Sequence, residues 1–559
     1  MSAVSDRCIY LGYRYGTYVA VAVSVVLLFL IISFFVLPLF YAFFPLFMAD
    51  VGVETSPWNI LFSSKVLKVA LYTLKQGLLS MVVALLIGIP AGFFTATRQF
   101  PGKKFILSLS AIPLCVPPLL VALGYVMFFG MQGVLNRWCM ALWNLEEPPI
   151  EFLYSLWGIV LAQGFYNFPL VMKTCHDAWR QVSVREYNAA CLLGASPFRI
   201  FRTITVVQLL PAIASSGMVV FLYSFFSFVI VLLFGGVGTT VLEVEIYQAA
   251  RSSLNFPLAA ALALTETLVA FGVLLLYGLL ERKSRESRGL AWDAETFYPK
   301  KIQGFTEKLG ALILAFLVIL FFLMPFMQIL FSALSQKVPG FSGGTTGKIS
   351  LGNFIALFSR ESFYVSFLNT LKVGIASGVL AVCVALTFAC LVKILDPEKK
   401  SMTSRIIPLL PMAVSSVVLA FGITQVVSGG TVSVLILLQA SLYWPFAFRQ
   451  ISGTMDRIPL DVLNGATLLS PFSLDGVFKI YIPLCRRNIL SALGFCFALS
   501  CGDTTLPLVL GIPRFETLAL YTYNLAGSYR FQEACACGVI LALLTVPVFL
   551  ISNREHTGT

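Results

Sequence analysis

The chain has 559 residues, 58% hydrophobic and only 11% charged, and its mean hydropathy is +0.89. A soluble domain carries about 25% charge, so these values exclude a soluble globular protein and point to an all-α polytopic membrane protein. The net charge of +12 does not indicate a nucleic-acid partner, because Lys and Arg fall in short loops between apolar runs.

Twelve apolar runs of spanning length follow one another. They cover 18–40, 69–96, 105–129, 156–172, 206–234 and 257–280, then 309–333, 367–392, 406–427, 431–448, 489–511 and 534–552. The first is too long for a signal-peptide core and lacks a small-residue cleavage site, so it reads as a retained helix. The basic clusters lie at 98–104, 180–202, 282–308, 393–405 and 449–487. Placing the N-terminus inside puts all five on the cytoplasmic side, as the positive-inside rule requires, and both termini are then cytoplasmic. The twelve cysteines sit mostly singly in apolar runs, and His176 and His556 are the only histidines. No metal site is expected from such spacing.

The chain contains one unit twice. Thr73-Leu-Lys-Gln-Gly matches Thr370-Leu-Lys-Val-Gly, and the run ending at Gly124 matches the run ending at Gly422, at offsets of 297 and 298. Gln163 and Pro169 match Gln439 and Pro445, Asn188 and Ala190 match Asn464 and Ala466, and Tyr247 matches Tyr523, all at 276. The change of offset is an insertion of about 22 residues in the first copy, around "NRWCMALWNLEEPPIEF". Each copy has an even number of spans in the same order, so the repeats are parallel.

Residues 186–200, "EYNAACLLGASPFRI", are too polar to span a membrane. Ala189, Ala190, Leu192 and Leu193 favour helix, and Gly194 and Pro197 interrupt it, which predicts two short cytoplasmic helices at a tight turn. Residues 463–483 repeat the pattern. This segment resembles the cytoplasmic coupling loop of ABC importer permeases, whose pattern is Glu-Ala-Ala, a Gly four residues on, then Ile and Leu-Pro. Ala189, Ala190, Gly194 and Ile204 fit, with the acid displaced to Glu186; Ala466, Ile480 and Pro483 fit in the second copy, where Asn464 matches Asn188 and Ser470 replaces the Gly. The resemblance implies a type I ABC importer transmembrane fold of about 12 helices in two six-helix repeats. It also implies two copies of a separate ATP-binding subunit that bind ATP and Mg, an extracytoplasmic binding protein, and a bacterial inner-membrane location. No cofactor is expected in this chain, nor any covalent chemistry.

The fused form, with "YSLWGIVLAQGFYNFPLVMK" (154–173), "ALSCGD" (498–503) and "GSYRFQEA" (527–534), is similar to thiamine ABC permeases, and iron(III) permeases come next. On this reading the chain divides into an N-terminal helix and outer loop (1–65), a first permease domain (66–280), a cytoplasmic linker (281–308), a seventh helix with its outer loop (309–362) and a second permease domain (363–552). A reading of another class is an ion-coupled secondary transporter, which has no need of two cytoplasmic hairpins.

"GGTTGKIS" (343–350) fails as a phosphate loop, because Ser342 stands where the first Gly belongs and Ile349 follows the Lys. Ionisable residues within spans are candidates for function. Asp503 and Glu266 are the two carboxylates of this kind. With Gln163, Tyr166, Gln439, Trp444 and Tyr529 they form the expected translocation pathway, where a carboxylate and aromatic faces suit a flat cation. Lys75 and Lys372, near outer helix ends, are expected to snorkel.

Overall fold

A computed structural model of the chain describes residues 32–48, 56–108, 116–182, 184–235, 240–288, 300–302, 304–337, 345–395, 407–427, 429–456 and 477–554, with a few isolated positions besides. In the first repeat the main helices are α1 (Leu37–Phe47), α2 (Ser64–Thr97), α3 (Pro118–Phe129), α4 (Val134–Trp143), α5 (Leu156–Trp179), α6 (Val184–Leu192), α7 (Pro197–Ile200), α8 (Val206–Phe225), α9 (Val229–Phe234), α10 (Leu242–Arg251) and α11 (Phe256–Arg288). The second continues with α12 (Phe305–Val318), α13 (Met324–Leu334), α14 (Gly352–Phe358), α15 (Glu361–Leu395), α16 (Ser416–Thr424), α17 (Val432–Met455), α18 (Ile482–Gly502), α19 (Thr505–Leu510), α20 (Leu518–Gly527) and α21 (Phe531–Arg554).

Among the described residues nine helices are long and apolar enough to cross a membrane. Three of the twelve expected runs account for the difference. Run 18–40 lies partly outside the described residues and continues as the shorter apolar helix Ser33–Phe47. Run 156–172 belongs to the 24-residue α5, whose Gln163, Asn167, Lys173 and His176 lower its hydropathy. Run 406–427 is broken into a 3-10 turn, Ile407–Ala413, and the nine-residue α16, because Pro408 and Pro411 interrupt a continuous α-helix.

The strands are short. Arg98–Gln99 (β1) pairs in parallel with Lys300–Lys301 (β2), and Ser335–Lys337 (β3) pairs antiparallel with Thr345–Ile349 (β4). The Thr-Thr-Gly-Lys of the false phosphate motif is therefore part of β4 itself, and among the described residues it stands within a strand and not in a loop between a strand and a helix. Beside β1, the Arg98 guanidinium donates twice to the Glu307 carboxylate, at 2.6 and 3.2 Å, and so ties the end of the linker to the end of α2.

Two compact units form, and they cut across the repeats. One holds residues 49–360 and 522–540; the other holds 1–48, 361–521 and 541–559. Within the first unit α13, a second-repeat helix, packs on α3; within the other α1, the N-terminal helix, packs on α16. The matched glycines explain how these helices fit. A Cβ on Gly124 would lie 2.6 Å from the Pro325 carbonyl oxygen, and a Cβ on Gly422 would collide with the Pro38 carbonyl oxygen. Each motif ends in Gly because a backbone approaches there that leaves no room for a side chain.

The Thr of the other matched motif also acquires a role. Thr73 Oγ1 accepts the Leu242 backbone N–H at 3.0 Å, and Thr370 Oγ1 accepts that of Leu518 at 2.7 Å. Each hydroxyl satisfies an orphan donor at the start of the short helix α10 or α20, from a different element.

Candidate functional site

The stretch 184–205 folds as the expected hairpin. Helix α6 carries Glu186 in its first turn, where a carboxylate opposes the positive helix end. Gln208 of α8 donates to that carboxylate at 2.6 Å, tying the hairpin to the span that follows. Gly194 has φ +75°. Its N–H donates to the Cys191 carbonyl and the Ala195 N–H donates to that of Ala190, both at 3.0 Å. This is a Schellman termination, and only Gly adopts its left-handed position without strain. Ser196 then caps α7, its Oγ accepting from Arg199 N, with Pro197 at the first helical position.

The tip of the hairpin is apolar and uncovered. Leu192 is 90% exposed, Leu193 87% and Phe198 74%, whereas Ile200 at the root is buried. Ala189 is exposed, and Ala190 and Ile204 are half-buried. A π-helical turn, Phe201–Thr205, leads into α8. The second copy has the same turn at Val477–Tyr481, displaced by 276 residues, leading into α18. There Ile480 is half-buried, Pro483 is exposed in the first turn, and Tyr481 is buried against Cys485, Ile451 and Met455. Asn464, Ala466 and Ser470 lie outside the described residues.

Polar side chains inside the spans form a knot around each of the two matched glutamines. In the unit holding residues 49–360, Gln76 Nε2 donates to Gln163 Oε1, and Ser80 Oγ donates to the same oxygen at 2.9 Å. Gln163 Nε2 and Ser224 Oγ are buried with no hydrogen-bond partner among the described residues. In the other unit, Ser500 Oγ donates to Gln439 Oε1, and Ser377 Oγ lies 2.7 Å from Ser500 Oγ. Gln439 Nε2 donates to the Asp503 carboxylate at 3.1 Å, and the Tyr443 hydroxyl is a further donor beside it. The other carboxylate oxygen accepts the backbone N–H groups of Thr505 and Leu506, at 2.9 and 3.2 Å. Asp503 thus caps α19 and clasps α17 at once.

The structure brings Gln439 and Asp503 together, and it gives the other expected pathway residues separate surroundings. Trp444 is buried among Phe388 and Phe448, with ring centroids 5.4 and 6.1 Å away. The buried Tyr166 donates its hydroxyl to the Val116 carbonyl at 2.8 Å. Glu266 is fully buried in α11, where Thr265 and Thr267 turn their hydroxyls back to Ala261 and Ala263. Tyr529 is exposed at φ +58° in the turn between α20 and α21. Lys75 and Lys372 are exposed. Sequence reasoning missed Gln76, Ser80, Ser377, Ser500 and Tyr443. The signal was present, since Ser80 and Ser377 match at the first offset and Ser224 and Ser500 at the second.

Comparison with known proteins places this geometry. A family model described as the binding-protein-dependent transport system inner membrane component matches residues 88–286, a range that contains the first hairpin and its root. The chain is 25% identical over 497 residues to the thiamine transport system permease protein of Escherichia coli (strain K12), covering 84% of this chain and 86% of that protein. Its counterpart in Brucella abortus (strain 2308) is 25% identical over 513 residues, 88% of each chain. The putative 2-aminoethylphosphonate transport system permease protein of Salmonella typhi is 30% identical over 230 residues, 41% of this chain and 79% of that protein. With two repeats in one polypeptide and apolar helices of spanning length throughout, the chain belongs to the family of binding-protein-dependent transport system inner membrane components, as a fused, multi-pass ABC importer permease.

Proposed function

We propose that this permease passes thiamine or a thiamine phosphate into the cytoplasm, fed by an extracytoplasmic binding protein and driven by two copies of an ATP-binding subunit. The observation that carries the cargo is coverage. Thiamine permeases align over 84 to 90% of the chain, through both repeats, whereas the 2-aminoethylphosphonate permease aligns over 41%.

The hairpin supports the coupling role. Leu192, Leu193 and Phe198 form an apolar knob on a root fixed by Ile200, by the Gln208–Glu186 bond and by the π-turn. Such a knob suits a groove on a partner, because its burial removes apolar surface from water. Ala189, Ala190, Gly194 and Ile204 shape it, and the sequence match assigns the contact with the second ATPase to Asn464, Ala466, Ser470, Ile480 and Pro483. Both termini are cytoplasmic in this arrangement. Gln163, Tyr166, Glu266, Gln439 and Trp444 hold the helices that flank the pathway, a role their burial favours over direct contact with cargo; Asp503 is half-buried, and its bonds to Gln439, Thr505 and Leu506 favour the same role. Tyr529 is the most exposed member of the set and is the one we assign to meet it.

Reconstitution with the ATPase and the binding protein tests the reading. Thiamine is expected to stimulate ATP hydrolysis and to accumulate in the vesicles. Stimulation by iron(III) or 2-aminoethylphosphonate in its place would change the cargo. Uptake driven by an ion gradient with no ATPase present would remove the mechanism.

A further inference from the structure

The two glutamine knots differ in how completely they are satisfied. In the second repeat Gln439 and Tyr443, four residues apart on one face of α17, reach a common neighbour, the Asp503 carboxylate. Gln439 Nε2 donates to it at 3.1 Å, and the Tyr443 hydroxyl is a further donor beside it. The first repeat carries Gln163 and Asn167 at the matching places on α5, and Ser227 where the second has Asp503. Gln76, Gln163 and Asn167 are 0, 1 and 2% exposed. Their atoms Gln76 Oε1, Gln163 Nε2 and Asn167 Oδ1 are buried with no hydrogen-bond partner among the described residues.

These atoms belong to one neighbourhood. Gln76 Nε2 donates to Gln163 Oε1, so the unmet atom of each amide is one carbon away from a bonded one. Asn167 follows Gln163 by one turn on the same face of α5. The second repeat shows that two side chains at these positions converge on a shared polar group. The unmet atoms are one donor nitrogen and two acceptor oxygens. A water molecule is their complement, because its oxygen accepts and its two hydrogens donate. Asn167 and Ser227 are also smaller than Tyr443 and Asp503. A phenol ring fewer at this place leaves space for a molecule that occupies about 30 Å³. Buried polar atoms left unmet are costly in a low-dielectric interior, and a bridging water relieves all three.

We propose that the first repeat binds a water molecule here, which accepts from Gln163 Nε2 and donates to Gln76 Oε1 and Asn167 Oδ1. It takes the place that the Asp503 carboxylate has in the second repeat. The link between α2 and α5 then runs partly through an exchangeable molecule, whereas α17 is clasped by a group that the chain itself carries.

The test is a structure of the full chain in bilayer nanodiscs at a resolution that shows ordered water. A peak within hydrogen-bond distance of all three atoms is expected. Direct bonds among the three side chains, with no peak between them, would overturn the proposal. Asn167→Tyr with Ser227→Asp gives the first repeat the side chains of the second and is expected to remove the peak; a peak that stays would mean that the water is held by other groups. Thermal unfolding supplies a second measurement. Gln76 Oε1 and Asn167 Oδ1 are both acceptors and cannot bond each other, so Gln76→Val and Asn167→Leu interact only through what lies between them. Their losses in Tm are expected to be less than additive, and additive losses would count against a shared water. Neither measurement depends on which cargo is carried.

Discussion

In the first repeat the glutamine of α5 turns toward α2, where Gln76 and Ser80 hold it; in the second its counterpart on α17 turns toward α18, where Ser500 and Asp503 hold it. The frame around the two is the same, down to the Thr73 and Thr370 caps and the two π-turns. Two differences in sequence explain the divergence. Val373 stands where the first repeat has Gln76, and Ser227 stands where the second has Asp503. Gln76 draws Gln163 away from Ser224, whereas Val373 offers Gln439 nothing, leaving it to Ser500 and Asp503. A repeated fold sets where a polar side chain sits, and its neighbours decide which helix it binds.

The largest effects are expected where the repeats couple to other chains. Leu193→Glu with Phe198→Glu puts two charges on the apolar knob and should abolish substrate-stimulated ATP hydrolysis while leaving the amount of protein in the membrane unchanged. Normal stimulation would remove the first hairpin from the coupling path. Next is Asp503→Ala, which strips the acceptor from four donors and should cost about 3 kcal/mol or more. Asp503→Asn, which keeps an oxygen for the α19 cap, should cost less in thermal unfolding. A third comparison sets Gln439→Leu against Gln163→Leu. The first loses bonds to protein made by both the nitrogen and the oxygen of its amide and should cost about 1–2 kcal/mol, against about 1 kcal/mol for the second, which bonds to protein through its oxygen; equal losses would mean that the two knots are energetically alike.

Gly194→Ser gives the first hairpin the residue found at the matching place in the second, and left-handed strain should cost about 1–2 kcal/mol. Steady ATPase coupling in that variant would show that the turn adapts. The smallest effect is expected from Gln76→Val, under about 1 kcal/mol. In that background a double-mutant cycle between Gln163 and Ser224 should show coupling that the parent lacks, since Gln163 is then released to the partner its counterpart uses. Absence of coupling would show that the frame, and not Gln76, sets the direction of the side chain.

Much of this was legible in the sequence because it depends on local pattern. Apolar runs marked the spans, two offsets marked the repeats, and Gly194 and Pro197 marked the hairpin. The rest depends on partners distant in the chain. A helix apolar on every side shows no periodicity that names its neighbour, so the packing of α1 on α16 and of α13 on α3 left no mark beyond the matched Gly124 and Gly422. Thr73 reads as one more helical residue until Leu242 arrives from 169 positions away. Asp503 looked like a carboxylate for a cationic cargo, because nothing in a sequence shows that four donors already converge on it.

The exchanged helices bear on how the protein is made. The unit built on the second repeat needs α1 from early in the chain, and the unit built on the first repeat needs α13 and residues 522–540 from late in it. Neither unit can be completed as its repeat leaves the ribosome, so the early spans must wait in the bilayer for partners not yet translated. A chain cut within 281–308 would yield two fragments, neither owning a complete unit, and each would need the other to fold. Fusion into one polypeptide therefore keeps the two sets of helices at equal number and in the same patch of membrane, which separate subunits would achieve only by meeting.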